Sequence, residues 1–231
     1  LLASEERAIE IAGLALEAQR YLLDLCARRR AEPRDDIVTA VANARLPDGR
    51  ALEPPEILSM LQQMLVAGNE TTTNALTAGM RRLANEPALF ARLKAEPKLI
   101  PQFIEENLRL ESPVQGQFRR ALEDTELGGV AIPKGALLHV RHGAANRDER
   151  VFGEYADRMR LGERPPKPHL AFGMGMHFCL GAMLSRMEMR VAFAAIAERF
   201  RTITLAVPDA EIVHHTHFHL RGIKALPLRL S

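Results

Sequence analysis

Cysteine is scarce and tryptophan is absent: the 231 residues hold only Cys26 and Cys179 and no Trp. The two cysteines lie far apart in unlike contexts, which excludes a disulfide framework and favours a reducing, cytoplasmic compartment. Long apolar runs are missing too. A bilayer span needs about eighteen or more consecutive apolar residues, and the most apolar helical pattern is interrupted by Gln62, Gln63, Asn69 and Glu70, so no membrane partner is expected. No signal peptide is expected either. Charge of one sign is lacking: 31 Lys and Arg against 29 Asp and Glu leave +2, so no basic field marks nucleic acid as a partner. Low-complexity stretches and repeats are absent as well. With 47% apolar and 26% charged residues, the chain has an ordinary globular composition, and disorder or a collagen-like repeat is excluded.

What is there is mainly helical, and it reads as one domain over residues 1–231. The chain opens at Leu1, without Met and already inside an amphipathic pattern, which predicts that an N-terminal part precedes it. Apolar spacing over Ile9, Ala12, Leu16, Leu22, Leu23 and Leu25 predicts a helix from Glu5 to Arg30, with cations at its negative end. A short helix follows Asp35–Asp36, over Ile37 to Ala44. Pro54 and Pro55 stand where a first helical turn tolerates them, and apolar spacing runs from Ile57 to Leu83. That is a helix of roughly thirty residues, about 45 Å long. Helices over Ala88–Ala95 and Lys98–Glu111 come next, then strands around Arg119–Ala121, Val130–Ile132 and Leu137–Val140. Residues Asn146 to Pro168 read as charged and irregular. After Cys179 a helix runs to about Phe200, and a hairpin-like tail closes the chain.

The densest signal is Phe172-Gly173-Met174-Gly175-Met176-His177-Phe178-Cys179-Leu180-Gly181, a cysteine on a glycine-rich loop just before a helix. A helix N-terminus favours a thiolate, and glycines let the backbone approach a flat ligand closely. A lone cysteine is most often a buried structural residue. One thiolate cannot assemble a zinc or iron–sulfur site, but it can be the single axial ligand of a haem.

Phe172, Gly175, His177, Cys179 and Gly181 stand at the spacing of the haem-ligand signature of the cytochrome P450 family, which the chain resembles from end to end. Three further segments resemble that family's motifs in its own order. Ala67-Gly68-Asn69-Glu70-Thr71-Thr72 is similar to the oxygen-activation motif of a long central helix. Glu106-Asn107-Leu108-Arg109 is similar to the Glu-x-x-Arg motif, and Ala145-Asn146-Arg147-Asp148 to the segment before the meander. The soluble bacterial branch fits best. Departures from the pattern are Glu149, where the family usually has Pro, and Met159, where it has an aromatic.

The resemblance implies the C-terminal portion of the P450 fold: a long central helix, small β-sheets and a cysteine loop preceding a helix. It implies haem b with Cys179 as the metal ligand, contacted by Phe172, Gly173, Gly181, Ala67 and Gly68, and with propionates held by Arg119 and His177. Arg120 is an alternative by a one-residue slip, since neighbours on a strand face opposite sides. Glu70 and Thr71 place a carboxylate and a hydroxyl together as a proton relay, where Gly68 and Thr71 would let the helical ladder open locally. The plainer reading is a kinked buried helix. Glu106 and Arg109 alone would be a solvated pair worth roughly 0.2–0.5 kcal/mol. By resemblance they join Arg158 in a buried structural triad, with Arg160 and Arg164 as alternatives.

Val66, Val114, Phe218 and His219 are candidate contacts for a small hydrophobic organic substrate. His215, His217 and His219 would align on one strand face, but no carboxylate partner supports a metal site there. Arg81, Arg82 and Arg186 read as surface cations, Arg186 on the side where the family docks a ferredoxin or flavodoxin-type electron donor. The implied activity is that of a haem-thiolate monooxygenase. Rival readings are a peroxide-driven haem-thiolate peroxygenase and a non-catalytic haem-binding remnant.

Overall fold

A computed structural model describes residues 4–162 and 168–231. Ser4 starts the first helix, α1 (Glu5–Ala31), its hydroxyl accepting the Arg7 N–H at 3.3 Å, and Arg28, Arg29 and Arg30 fill the last turn, where the carbonyl end of a helix favours cations. Asp36 caps α2 (Ile37–Ala42): its carboxylate accepts the Thr39 N–H at 2.8 Å and the Arg29 Nε–H at 2.5 Å. Arg30 donates to the carbonyls of Ala42 at 2.9 Å and Leu52 at 3.4 Å. These elements and the start of α3 (Pro54–Asn85) form one compact unit, Leu1–Ala67, around Cys26, Val41, Ala42, Leu52, Ile57 and Leu61.

Helix α3 has 32 residues and stays α-helical through positions 67–73, so the expected local opening of its ladder is not there. The hydroxyls in that stretch find partners without unwinding it. Thr72 Oγ1 donates to Ser185 Oγ at 3.1 Å, and Thr77 Oγ1 to the Thr73 carbonyl at 2.7 Å. Burial of Ala75, Leu83 and Ala84 supplies the packing that outweighs the poor propensity of glycine and threonine.

The second unit, Gly68–Ser231, has its own core of Leu83, Leu93, Phe103, Ile104, Met189, Phe193 and Ile203. It packs the later part of α3 with α4 (Pro87–Ala95), α5 (Ile100–Glu111) and α8 (Ala182–Arg199). Phe103 of α5 meets Phe193 of α8 edge-on, ring centres 5.0 Å apart. A Cβ at Gly79 would lie 2.5 Å from Phe193 Cζ, so the glycine is what admits that ring against α3. Asn107 Nδ2 donates to the Ala75 carbonyl at 2.9 Å, joining α5 to α3.

Among the described residues, three two-stranded antiparallel sheets decorate this body. β1 (Gln117–Arg120) pairs with β4 (Leu137–Val140), β2 (Thr125–Leu127) with β3 (Val130–Ile132), and β5 (Ile203–Leu205) with β6 (Leu228–Leu230). β2 lies in a charged stretch that carries no strand pattern. The tail is not a simple hairpin, because β6 returns to β5 across some twenty residues of turns and isolated bridges. The segment read as irregular contains α7 (Glu149–Phe152), and another short helix, α6 (His142–Ala145), ends just before it. Among the described residues no helix is long and apolar enough to cross a membrane.

Candidate functional site

Two backbone bonds shape the cysteine loop. The Gly173 N–H donates to the Leu170 carbonyl at 2.9 Å, and the Cys179 N–H to the Phe172 carbonyl at 3.0 Å. Gly173 and Gly175 have φ of 72° and 76°, a left-handed conformation that L side chains resist. A Cβ at Gly175 would meet nothing within 4 Å, and one at Gly181 would approach the Cys179 Sγ at 4.0 Å. The glycines therefore leave open surface around the sulfur.

Cys179 is an exposed free thiol, three residues before α8 begins, and the Ala182 N–H donates to its carbonyl at 3.2 Å. Met176 at 93% and Leu180 at 91% exposure flank it. Among the described residues no three of His, Cys, Asp and Glu gather as a metal site, so the donor set here is one cysteine sulfur amid apolar side chains. That set fits a flat, largely apolar group needing a single axial ligand from this face, which is what haem requires. His177 ends a short 3-10 turn, Gly175–His177, within the loop and is exposed.

Behind the loop, Arg109 is 1% exposed and Glu106 5%. Arg109 donates to both carboxylate oxygens of Glu106, Nε to Oε1 and Nη2 to Oε2, each at 2.9 Å. The rest of its guanidinium reaches backbone carbonyls: Asn146 at 2.9 Å, Ala156 at 3.0 Å, Tyr155 at 3.0 Å and Arg158 at 2.9 Å. Glu106 Oε2 also accepts the Arg160 N–H at 3.0 Å. Arg158 thus differs from the expected third side chain of a triad. Its side chain is exposed, and it takes part through its carbonyl, because a buried guanidinium with five donors is satisfied by peptide oxygens as well as by carboxylates. The Arg160 guanidinium lies 4.7 Å over the Tyr155 ring, and Arg164 lies outside the described residues.

Sequence reading missed the reach of Asn146. It is 1% exposed; its Nδ2 donates to Ser112 Oγ at 2.8 Å, and its Oδ1 accepts the Leu170 N–H at 2.6 Å. One amide therefore joins the end of α5 to the entry of the cysteine loop. Ser112, with φ 39°, is in the left-handed region, and its hydroxyl donates back toward the Leu108 and Arg109 carbonyls at 3.2 and 3.1 Å.

Of the two propionate candidates on β1, Arg120 donates to the Gly135 carbonyl at 2.8 Å. Arg119 bonds to the Phe118 carbonyl at 2.8 Å and to Gln117 Oε1 at 3.1 Å. Burial, followed by the charge of Arg119 and then of His139, lowers the His142 pKa. Val114 and Leu220 form an isolated bridge, and the Gln115 N–H donates to the His219 carbonyl at 2.6 Å, which brings the predicted contacts Val114 and His219 together. Phe218 projects from the same turn at 80% exposure. On α3, Val66 and Ala67 in the first unit and Gly68 and Glu70 in the second are exposed, and Thr71 is half-buried. Each cation read as free has a partner: Arg81 pairs with Asp209 at 2.6 Å, Arg82 with Glu111 at 3.1 Å and Arg186 with Glu105 at 2.7 Å.

Comparison with known proteins gives one answer. Residues 20–220 match the family model described as cytochrome P450. Cytochrome P450 107B1 of Saccharopolyspora erythraea is 41% identical over 210 residues, 90% of this chain and 51% of that protein. The 6-deoxyerythronolide B hydroxylase of the same organism is 36% identical over 231 residues, all of this chain and 57% of the hydroxylase. The solved structure of the bacillaene polyketide synthase cytochrome P450 PksS from Bacillus subtilis 168 superposes with a TM-score of 0.90 at 37% identity, covering 100% of this chain and 59% of PksS. The chain spans about half the length of the curated relatives it matches.

Proposed function

The chain belongs to the cytochrome P450 family, and from that premise we propose that it carries the thiolate half of a haem b monooxygenase. The overall reaction consumes dioxygen, two electrons and two protons, placing one oxygen atom in a small hydrophobic organic substrate and releasing the other as water. The observation that carries this reading is the exposed Cys179 at the end of a loop whose glycines leave the sulfur accessible. Bound haem supplies the iron at which dioxygen is activated.

The chain's own residues supply the rest. Cys179 would hold the haem iron through its sulfur and would supply electron density to it. Gly173 and Gly181 keep backbone out of the way of the macrocycle. Arg119 and His177 would neutralise the propionates. Glu70 and Thr71 hand solvent protons inward from α3, with Gly68 and Ala67 alongside. Val114, Phe218 and His219 would present apolar and edge contacts to the substrate. Electrons come from a ferredoxin or flavodoxin-type donor in the cytoplasm.

The test is the carbon monoxide difference spectrum of the reduced protein, followed by turnover with NAD(P)H and a redox partner against turnover with peroxide. A thiolate-type Soret band with partner-dependent product supports the reading. Product formation with peroxide alone would replace it by peroxygenase chemistry.

A further inference from the structure

Glu105 and Glu106 are consecutive on α5, so their side chains leave the helix about 100° apart. Glu106 turns inward to Arg109, and Glu105 turns to the cysteine loop. Both Glu105 oxygens are occupied: Oε1 accepts Arg186 Nε–H at 2.7 Å, and Oε2 accepts Arg186 Nη2–H at 2.9 Å and His169 Nε2–H at 3.2 Å. His169 Nδ1 accepts the Ala171 N–H at 3.2 Å, which fixes the tautomer whose Nε2 carries the proton. The His169 side chain is 4% exposed and that of Glu105 23%. The Arg186 guanidinium lies 4.5 Å over the Phe172 ring, and Phe172 is the residue whose carbonyl accepts the Cys179 N–H.

One carboxylate thus holds the segment that enters the loop, through His169, and the helix that leaves it, through Arg186. Burial works to raise the Glu105 pKa, but hydrogen bonds from Arg186 and then from His169 outweigh it and hold it at about 2. The Arg186 pKa is raised, first by the Glu105 hydrogen bond, which outweighs the lowering by burial, and then by the charges of Glu105 and Cys179. The Arg186 cation is therefore matched by a half-buried anion.

We propose that Glu105 is a positioning residue for the thiolate: with His169 and Arg186 it pins both ends of the cysteine loop, and its charge balance with Arg186 sets the redox potential of the group that Cys179 holds. This rests on the haem reading above. Arg186, on this account, is a bound structural cation and not a free docking charge for the electron donor.

The experiment measures the ferric/ferrous midpoint potential and the reduced carbon monoxide spectrum of the haem-loaded protein and of Glu105→Gln, Arg186→Gln and the double variant. Glu105→Gln leaves Arg186 unbalanced, and extra positive charge favours the reduced iron, so the potential rises. Arg186→Gln leaves the anion unbalanced, so the potential falls. The double variant, again balanced, returns toward the parent value. A single variant that loses haem while the double variant keeps it supports the same coupling. Equal or same-sign shifts in the two single variants, or loss of haem in the double variant as well, would overturn the proposal in favour of a purely structural role. A parent protein that binds haem without a thiolate-type band would overturn the underlying haem reading, and this inference with it.

Discussion

The Arg109 guanidinium is stacked 4.7 Å from the ring of Phe152, which seals one face of an ion pair that is already cut off from water. That burial decides its worth. An exposed pair three residues apart on a helix contributes tenths of a kcal/mol, whereas removing one partner of a buried pair leaves a charge without compensation. Arg109→Met should therefore destabilise the second unit by about 3–5 kcal/mol, and Arg109→Lys should recover only part, since an ammonium cannot serve both Glu106 oxygens and four carbonyls at once. Urea unfolding of the variants measures this. A loss below about 1 kcal/mol for Arg109→Met would place the pair among ordinary surface bridges.

Replacement of the Cys179 sulfur should have a spectroscopic signature. Cys179→Ala should abolish the thiolate-type Soret band of the reduced carbon monoxide complex, while Cys26→Ala should leave it unchanged, because Cys26 is buried in the core of the first unit. An unaltered band in Cys179→Ala would eliminate Cys179 as ligand.

The long helices were legible because their signals are local: the Arg28–Arg30 turn, the paired prolines at 54 and 55, and apolar spacing over many turns all lie within the element they define. The cysteine loop was legible for the same reason, as ten contiguous residues. What escaped depends on contacts distant in sequence. β6 pairs with β5 only after the chain has folded back, and β2 is a strand because of β3, since Thr125-Glu126-Leu127 has no apolar alternation. Arg158 acts through a carbonyl, which every residue has and no side-chain pattern reveals. Glu105 belongs to no motif in the sequence, and its partners lie 64 and 81 positions away.

Proton delivery can be tested through coupling. Thr71 and Glu70 are consecutive on α3, and under the relay proposed above, loss of the hydroxyl should slow protonation of reduced dioxygen, which then escapes as hydrogen peroxide. In Thr71→Ala the expected outcome is continued NAD(P)H consumption, less product and more peroxide per electron pair. Assay of all three in one reaction checks it, and unchanged coupling would remove Thr71 from the relay.

Two glycines on helices should respond oppositely to the same change. Gly79→Ala puts a methyl where Phe193 Cζ already stands, 2.5 Å away, in a tightly packed part of the core, so it should cost about 1–3 kcal/mol. Gly13, on α1, has nothing within 4 Å of its added Cβ, so Gly13→Ala should stabilise the helix by about 0.5–1 kcal/mol. Opposite shifts in melting temperature are expected, and like-signed shifts would mean that Phe193 can swing aside.

Acid sensitivity follows from the depressed carboxylates. Glu105 has a folded-state pKa of about 2, below its ordinary value, so the unfolded chain takes up its proton first as pH falls. The stabilisation is complete above the ordinary carboxylate range and is lost as pH drops through about 4.5 toward 2. Asp209, held at about 2 first by its hydrogen bonds from Arg81 and then from Asn85, titrates over the same window. Glu105→Gln deletes one of these contributions. The variant should start with a lower melting temperature at neutral pH, yet lose less of it between pH about 4.5 and 2, so that the two curves converge in acid. Parallel curves across that window would show that the Glu105 charge has the same free energy folded and unfolded, and that its hydrogen bonds to Arg186 and His169 do not hold it ionised.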